Sequence, residues 1–373
     1  MGASVAWHLA RLGITRVVLV EREPVLGAGS TGRNAGGVRH QFSHEANVRL
    51  SIESIRLFEQ FADVVGAPLD FWQAGYLFLL AEASNVGAFR GHVEMQRRLG
   101  VDVVWLEPRD AARLAPGLDV TGVRAATFCA RDGIADPSGV THGFASAARG
   151  LGVEILRKTE VTRIASERGR VTGVETDQGF IAAPVVVNAA GPWAGQVGAM
   201  AGVTLPVSPL RRHIFIAAPP DGGWAGRAPD SRLMVIDFET TFYFHREGVG
   251  MLFGMGEKEE QAGFDTTVQW DFLERLTPVA TTRLPVLADA AITQAWAGLY
   301  EMTPDAMPII GAVPELEGLF VIAGFSGHGF QHSPAAGRIL ADLVAGRDPA
   351  FDLTPFSPTR FAAGPTAAEA NVI

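Results

Sequence analysis

The chain of 373 residues holds a single cysteine, Cys129. That scarcity excludes an internal disulfide framework and any cluster built on several thiolates, and it fits a reducing compartment such as the cytoplasm. Cys129 itself reads most simply as a small buried hydrophobe. Long apolar runs are missing too: none approaches the roughly 18 residues of a spanning helix, and no basic region followed by a cleavable apolar core opens the chain. There is no broad basic field. With a formal charge of −9, a pI ≈ 5.5 and scattered arginines, the chain is a poor partner for nucleic acid, and small-molecule chemistry is the better expectation. The histidines show no ligand spacing with carboxylates, so no metal is expected. Repeats, low-complexity tracts and long charge runs are absent, and the tail after Phe361 reads as loosely held.

What is present supports a folded protein. The length allows two packed domains, and 47% hydrophobic residues supply a large core. The organising stretch is Gly2 to Glu21, GASVAWHLARLGITRVVLVE. Val5, Leu9 and Leu12 recur at helical spacing over Ala3–Leu12, Gly13 marks a turn, and Val17–Val20 is the short apolar run of a buried parallel strand. Glu21 stands at its end, 19 positions after Gly2. In a dinucleotide-binding βαβ unit a closing glycine packs helix on sheet, and an acidic residue about 20 positions on accepts from a ribose hydroxyl. Only half of that fingerprint is here, because the first strand and first two glycines are absent.

Pro24–Val38, PVLGAGSTGRNAGGV, is a glycine-rich loop without periodicity, long for a compact-domain connection. Ser43 is placed to cap a helix running to about Val65. The segments 75–80 and 123–130 read as strands around a helix at 85–99, so strict β/α alternation stops and a second domain begins. Pro137–Arg149 reads as a helix, Val153–Leu156 and Glu160–Ile164 as strands, and RVTGVETDQGFIAA as a hairpin turning at Asp177–Gly179. Val185–Asn188 is a buried strand. From Pro206 to Gly256 alternating strands suit a sheet with one packed face, followed by a helix over Thr266–Leu276 and a strand over Ile292–Met302. Leu319–Ala323 then runs into GFSGHGF, and a helix begins at Ser333-Pro334. Strand, glycine-rich turn and helix thus recur at both ends of the chain, and such helix N-termini offer free N–H groups to a ligand.

With these pieces in place the chain resembles the FAD-dependent amine oxidoreductases of the D-amino-acid-oxidase, glycine-oxidase and sarcosine-oxidase type. The likeness rests on VVLVER ending at Arg22, GSTGRNAGGVR (Gly29–Arg39), VVVNAAGPWA (Val185–Ala194), AGLYEMTPD (Ala297–Asp305) and GFSGHGF (Gly324–Phe330), five blocks in the family's order. QFSHEANVRLS and GYLFLL look most like the β subunits of heteromeric L-proline dehydrogenase and sarcosine oxidase. The resemblance implies an α/β, Rossmann-like FAD-binding domain lacking its N-terminal strand, over 1–74, 135–205 and 291–373. It pairs that with an α+β substrate domain carrying a mostly antiparallel sheet, over 75–134 and 206–290.

The same resemblance implies roles. Gly2 and the first helix, with Ser30 and Thr31, would hold the pyrophosphate; Glu21 would hold the adenosine ribose, with Arg22 beside it. Val161, Ala190, Gly191 and Trp193 would flank the adenine. Ala35, Gly36, Gly37 and Val38 would let backbone approach the isoalloxazine, and Gly324, Gly327, His328, Gly329, Phe330 and Gln331 would close over its pyrimidine end and ribityl chain. Arg39 matches the arginine that pairs with the substrate carboxylate, a task suited to a guanidinium fork. Tyr243 matches a tyrosine facing substrate, His328 would lie beside the flavin, and Gln331 stands where relatives carry a second carboxylate-binding lysine.

Departures matter as well. Gly298 replaces the cysteine that carries flavin in some relatives, so the FAD is expected to be non-covalent. Leu252 stands where oxidases carry an oxygen-activating lysine, which favours a dehydrogenase. Pro137 replaces a histidine that carries FMN. The implied activity is oxidation of the C–N bond of a small, secondary amino acid of the proline, sarcosine or dimethylglycine type. The electron acceptor, partner subunits and homo-oligomerisation stay open. Two other readings stand beside it: a non-catalytic FAD-binding subunit or assembly factor, and a nicotinamide-dependent dehydrogenase.

Overall fold

Parallel pairing begins where the apolar run predicts it. In the computed structural model Val18–Glu21 pairs in parallel with Glu154–Arg157, and Val186–Asn188 pairs in parallel with Leu319–Ala323, which Ile309–Ala312 extends antiparallel. The structure describes residues 1–373 except 15, 258, 365 and 366, and the side chain of residue 363. Helix Gly2–Arg11 packs its buried face between helices Pro137–Gly150 and Gly329–Val344. A Cβ on Gly337 would lie 2.2 Å from Ser4 Oγ, so glycine permits that close approach. Ser4 Oγ donates to the Ser333 carbonyl at 2.7 Å and His8 Nε2 to the Pro334 carbonyl at 3.1 Å.

The larger sheet has eight strands in the order Ile292–Met302, Ser208–Ala217, Gly250–Met255, Tyr243–Glu247, Met234–Asp237, Tyr76–Leu80, Ala125–Cys129 and Val103–Leu106. All neighbours are antiparallel except Met234–Asp237 with Tyr76–Leu80. Its central strands are buried on both faces, where alternation in the sequence suggested one. Leu77, Leu79, Phe215 and Phe244 meet Phe272 and Leu276 of helix Phe272–Arg283 on one side. Tyr76, Phe78, Met234 and Ile236 face the other, with Phe89 of helix Ala83–Arg98. Strand Ile292–Met302, just past the expected boundary at 290, hydrogen-bonds into this sheet. Among the described residues no helix is long and apolar enough to cross a membrane.

Four local expectations are corrected. The helix expected over Thr266–Leu276 spans Phe272–Arg283: Arg211 donates to Asp265 and to the Thr267 carbonyl and ties that stretch down outside the helix, while packing of Leu276 and Ala280 carries the helix through Pro278. The last helix starts at Gly329, four residues before Ser333, with Pro334 inside it. His44 caps Glu45–Glu59 by accepting from Ala46 N–H, and the helix breaks at Gln60 before Phe61–Val65. Ser43 instead serves the tail. That tail is pinned at two points near its end, where Glu369 and Asn371 are 3% and 0% exposed. Glu369 accepts from Ser43 N–H, Ser43 Oγ–H, His44 N–H and Asn47 Nδ2. Positions 365 and 366 lie outside the described residues.

Candidate active site

A cavity of ≈ 1180 Å³ runs from Glu21 to Arg39, and the N-terminal ends of Gly2–Arg11 and Gly329–Val344 both open onto it. Of the residues singled out in the sequence, Gly2, Glu21, Arg22, Ser30, Thr31, Ala35, Gly37, Arg39, Val161, Ala190, Gly191, Trp193, Tyr243, Gly298, Gly327, His328, Gly329, Phe330 and Gln331 line it. Gly36, Val38 and Gly324 do not. Val38 is 0% exposed and packs into the core with Ile55 and Phe58; a Cβ on Gly36 would meet the Ala135 carbonyl, and one on Gly324 would meet Thr303. Strand alternation turns Val38 away from the face that Gly37 and Arg39 share.

The long glycine loop is ordered by its own polar groups. Asn34 Oδ1 accepts from Gly36 N–H and Asn34 Nδ2 donates to the Thr31 carbonyl. Ser30 Oγ donates to the Leu299 carbonyl, Arg33 Nη1 to the Ala297 carbonyl, and Trp296 Nε1 to the Arg33 carbonyl. These bonds press the loop on the strand that carries Gly298. At the other end Glu21 accepts from Glu23 N–H at 2.8 Å, and burial pushes its carboxyl up. Arg22 lies over the Trp193 ring at 4.8 Å.

Arg39 is 3% exposed and held from several sides. Its N–H donates to Gln331 Oε1 at 2.7 Å; Nη1 donates to the Gln41 carbonyl, and Nη2 to the Asn371 carbonyl and to His328 Nε2 at 3.0 Å. The guanidinium lies 4.1 Å from the Phe42 ring centroid. His40 and Gln41 are pinned in turn by buried Asp132, which accepts from His40 N–H, His40 Nδ1 (2.6 Å) and Gln41 Nε2. Cys129 Sγ lies 3.8 Å from that Nδ1, but burial raises its thiol and Nδ1 is committed to Asp132. His328 is held well below its ordinary value by burial and by Arg39, so it is neutral and accepts from the guanidinium.

The sequence does not single out several other lining groups, Tyr76, Tyr300, Arg212 and Glu301 among them. The chain has three tyrosines, and all of them, Tyr76, Tyr243 and Tyr300, line this cavity. Burial raises each of their pKa values, which keeps the hydroxyls neutral donors. A Cβ on Gly37 would fall 1.8 Å from Tyr76 Oη, and one on Gly327 (φ +92°) would fall 2.3 Å from the Tyr300 ring. Bare backbone is required at both. Arg212 and Glu301 also line it, and each keeps a buried atom, Nε and Oε2, without a hydrogen-bond partner. Orphaned polar atoms and glycine-lined walls fit a large, flat, polar cofactor better than a solvent cleft.

The FAD-dependent oxidoreductase family DAO matches residues 1–343. The chain belongs to that family. It is 31% identical over 417 residues to "FAD-dependent oxidoreductase domain-containing protein 1" of Bos taurus, covering 99% of this chain and 84% of that protein. It is 30% identical over 380 residues to mitochondrial dimethylglycine dehydrogenase of Rattus norvegicus, covering 97% of this chain and 44% of the relative. The structure of L-proline dehydrogenase from P. horikoshii superposes with a TM-score of 0.89 at 34% identity, covering 97% of this chain and 95% of the other. This DAO-family chain is therefore an FAD-dependent amino-acid oxidoreductase, with the FAD-binding and substrate-domain architecture of its family.

Proposed function

We propose that the enzyme oxidises the C–N bond of a small secondary or N-methylated amino acid, of the proline, sarcosine or dimethylglycine type, to the imine or iminium ion, which water hydrolyses. One observation carries this reading: Arg39 is a buried cation on the cavity wall whose hydrogen-bond partners are two carbonyls and a neutral imidazole. No carboxylate lies within ion-pair distance of it among the described residues, so the buried charge calls for an anion from outside, and an amino-acid carboxylate supplies one. Met234 and Ile236 on the same wall favour the neutral amine, whose lone pair forms the C=N bond as hydride leaves the adjacent carbon. Tyr243, a neutral hydroxyl, orients the substrate, and Gln331 steadies Arg39 through its backbone N–H.

When bound, FAD supplies the acceptor for that hydride. Glu21, Arg22, Ser30, Thr31, Val161 and the Ala190–Trp193 turn would hold its adenosine diphosphate part. Ala35, Gly37, Gly298 and Gly327–Gln331 would hold the flavin part. Gly298 offers no nucleophile, which supports non-covalent binding. A dehydrogenase rather than an oxidase is supported by the lining: among the described residues no lysine faces the cavity, and Leu252 lies away from it, 4% exposed. The test is anaerobic bleaching of the purified yellow protein by proline, sarcosine, dimethylglycine and primary amino acids, then turnover with a dye and with oxygen. Bleaching by a secondary or N-methylated amino acid, with faster dye than oxygen turnover, is expected. Flavin that none of them reduces would overturn the proposal.

A further inference from the structure

The Glu369–Ile373 segment is built into the substrate end of the cavity. Glu369 is a buried carboxylate without a basic partner at ion-pair distance among the described residues, yet it collects hydrogen bonds from Ser43, His44 and Asn47 and from Asn371 N–H at 2.9 Å. It sits at the N-terminal end of helix Glu45–Glu59, where the free N–H groups and the helix dipole favour an anion. That anchor sets the position of Asn371 and Ile373. The Asn371 carbonyl takes a donor of Arg39, and Asn371 Nδ2 donates to the Gln41 carbonyl at 3.3 Å, the carbonyl that Arg39 Nη1 also uses. Ile373 then lines the cavity and packs against the cluster that holds Tyr76, Met234 and Ile236.

We propose that this segment determines substrate specificity: Glu369 is a positioning residue that sets the Arg39 fork through Asn371, and Ile373 is the wall that limits the size of the amino acid. The inference rests on the reading of Arg39 as the carboxylate fork. Its physical basis is twofold. An arginine held by two carbonyls and an imidazole keeps its remaining N–H donors in one orientation, so less rotamer freedom is lost when a carboxylate docks. A branched aliphatic side chain beside Tyr76 and Met234 leaves room for a small ring or methyl group and excludes a larger side chain. Nothing in the local sequence of the segment predicts this, since its partners lie at the other end of the chain.

The test uses the FAD-loaded full chain and two carboxylates that cannot be oxidised, acetate and benzoate, titrated by the change in flavin absorbance. Glu369→Gln should weaken acetate at least tenfold and raise KM for the small substrate by a similar factor, with kcat changed less and flavin content unchanged. Ile373→Ala should lower the ratio of benzoate to acetate dissociation constants at least tenfold. Unchanged constants in both variants at normal flavin content would overturn the role of the segment. Arg39→Lys measured alongside separates the two layers. If it too leaves acetate binding unchanged, the carboxylate reading of Arg39 fails; if it weakens acetate while Glu369→Gln and Ile373→Ala do not, only the segment's role fails.

Discussion

Arg39→Lys keeps the positive charge in the wall of the cavity and removes the fork. In the folded protein one guanidinium nitrogen serves the Gln41 carbonyl and the other serves Asn371 and His328. A single ammonium cannot occupy both positions, so it must abandon either its protein partners or the substrate. Losing one charge-assisted hydrogen bond to a carboxylate costs about 1.5–3 kcal/mol, which corresponds to roughly a 10- to 150-fold rise in KM. Because the bond holds the carboxylate in ground and transition states alike, kcat should fall less than kcat/KM. Flavin content should stay near that of the parent, since Arg39 stands at the opposite end of the cavity from Glu21. The assay is steady-state turnover with the best small amino acid, with bound flavin measured from the absorbance after denaturation. A KM within twofold of the parent would refute the reasoning.

Packing and burial lead to two further outcomes. Gly37→Ala places a methyl 1.8 Å from Tyr76 Oη and should lower stability by about 1–3 kcal/mol; adding Tyr76→Phe, which moves the nearest ring atom to 3.1 Å, should restore part of it in thermal melts. No recovery in the double variant would show that the hydroxyl is not the obstacle. Burial raises the Glu301 carboxyl from 4.5 to about 7, so over that window the folded chain holds a proton that the unfolded chain releases. Stability therefore falls as pH rises through it and levels off above, by roughly 3 kcal/mol in all. Glu301→Gln cannot ionise, so its melting temperature relative to the parent apoprotein should rise from about pH 5 to about pH 8; a constant difference would count against this.

Local sequence is enough for the elements whose signals are local. Helix Gly2–Arg11 follows from residues at helical spacing, Val18–Glu21 from a β-branched run too short for a helix, and the 161–182 hairpins from alternation broken by Gly and Asp. The glycine-rich turns at 29–37 and 324–329 are legible because bare backbone leaves a compositional mark. Which face of each strand meets the cavity is a matter of tertiary structure. Alternation shows that Tyr76 and Leu77 point to opposite sides, but only the partners of the strand reveal that Tyr76 shares a wall with Tyr243, Tyr300 and Arg39. The fate of the tail is tertiary as well, since Ser43 and Glu369, 326 residues apart, form one polar cluster. Propensity reads neighbours along the chain, whereas a buried carboxylate is stable only once distant N–H groups have been gathered around it.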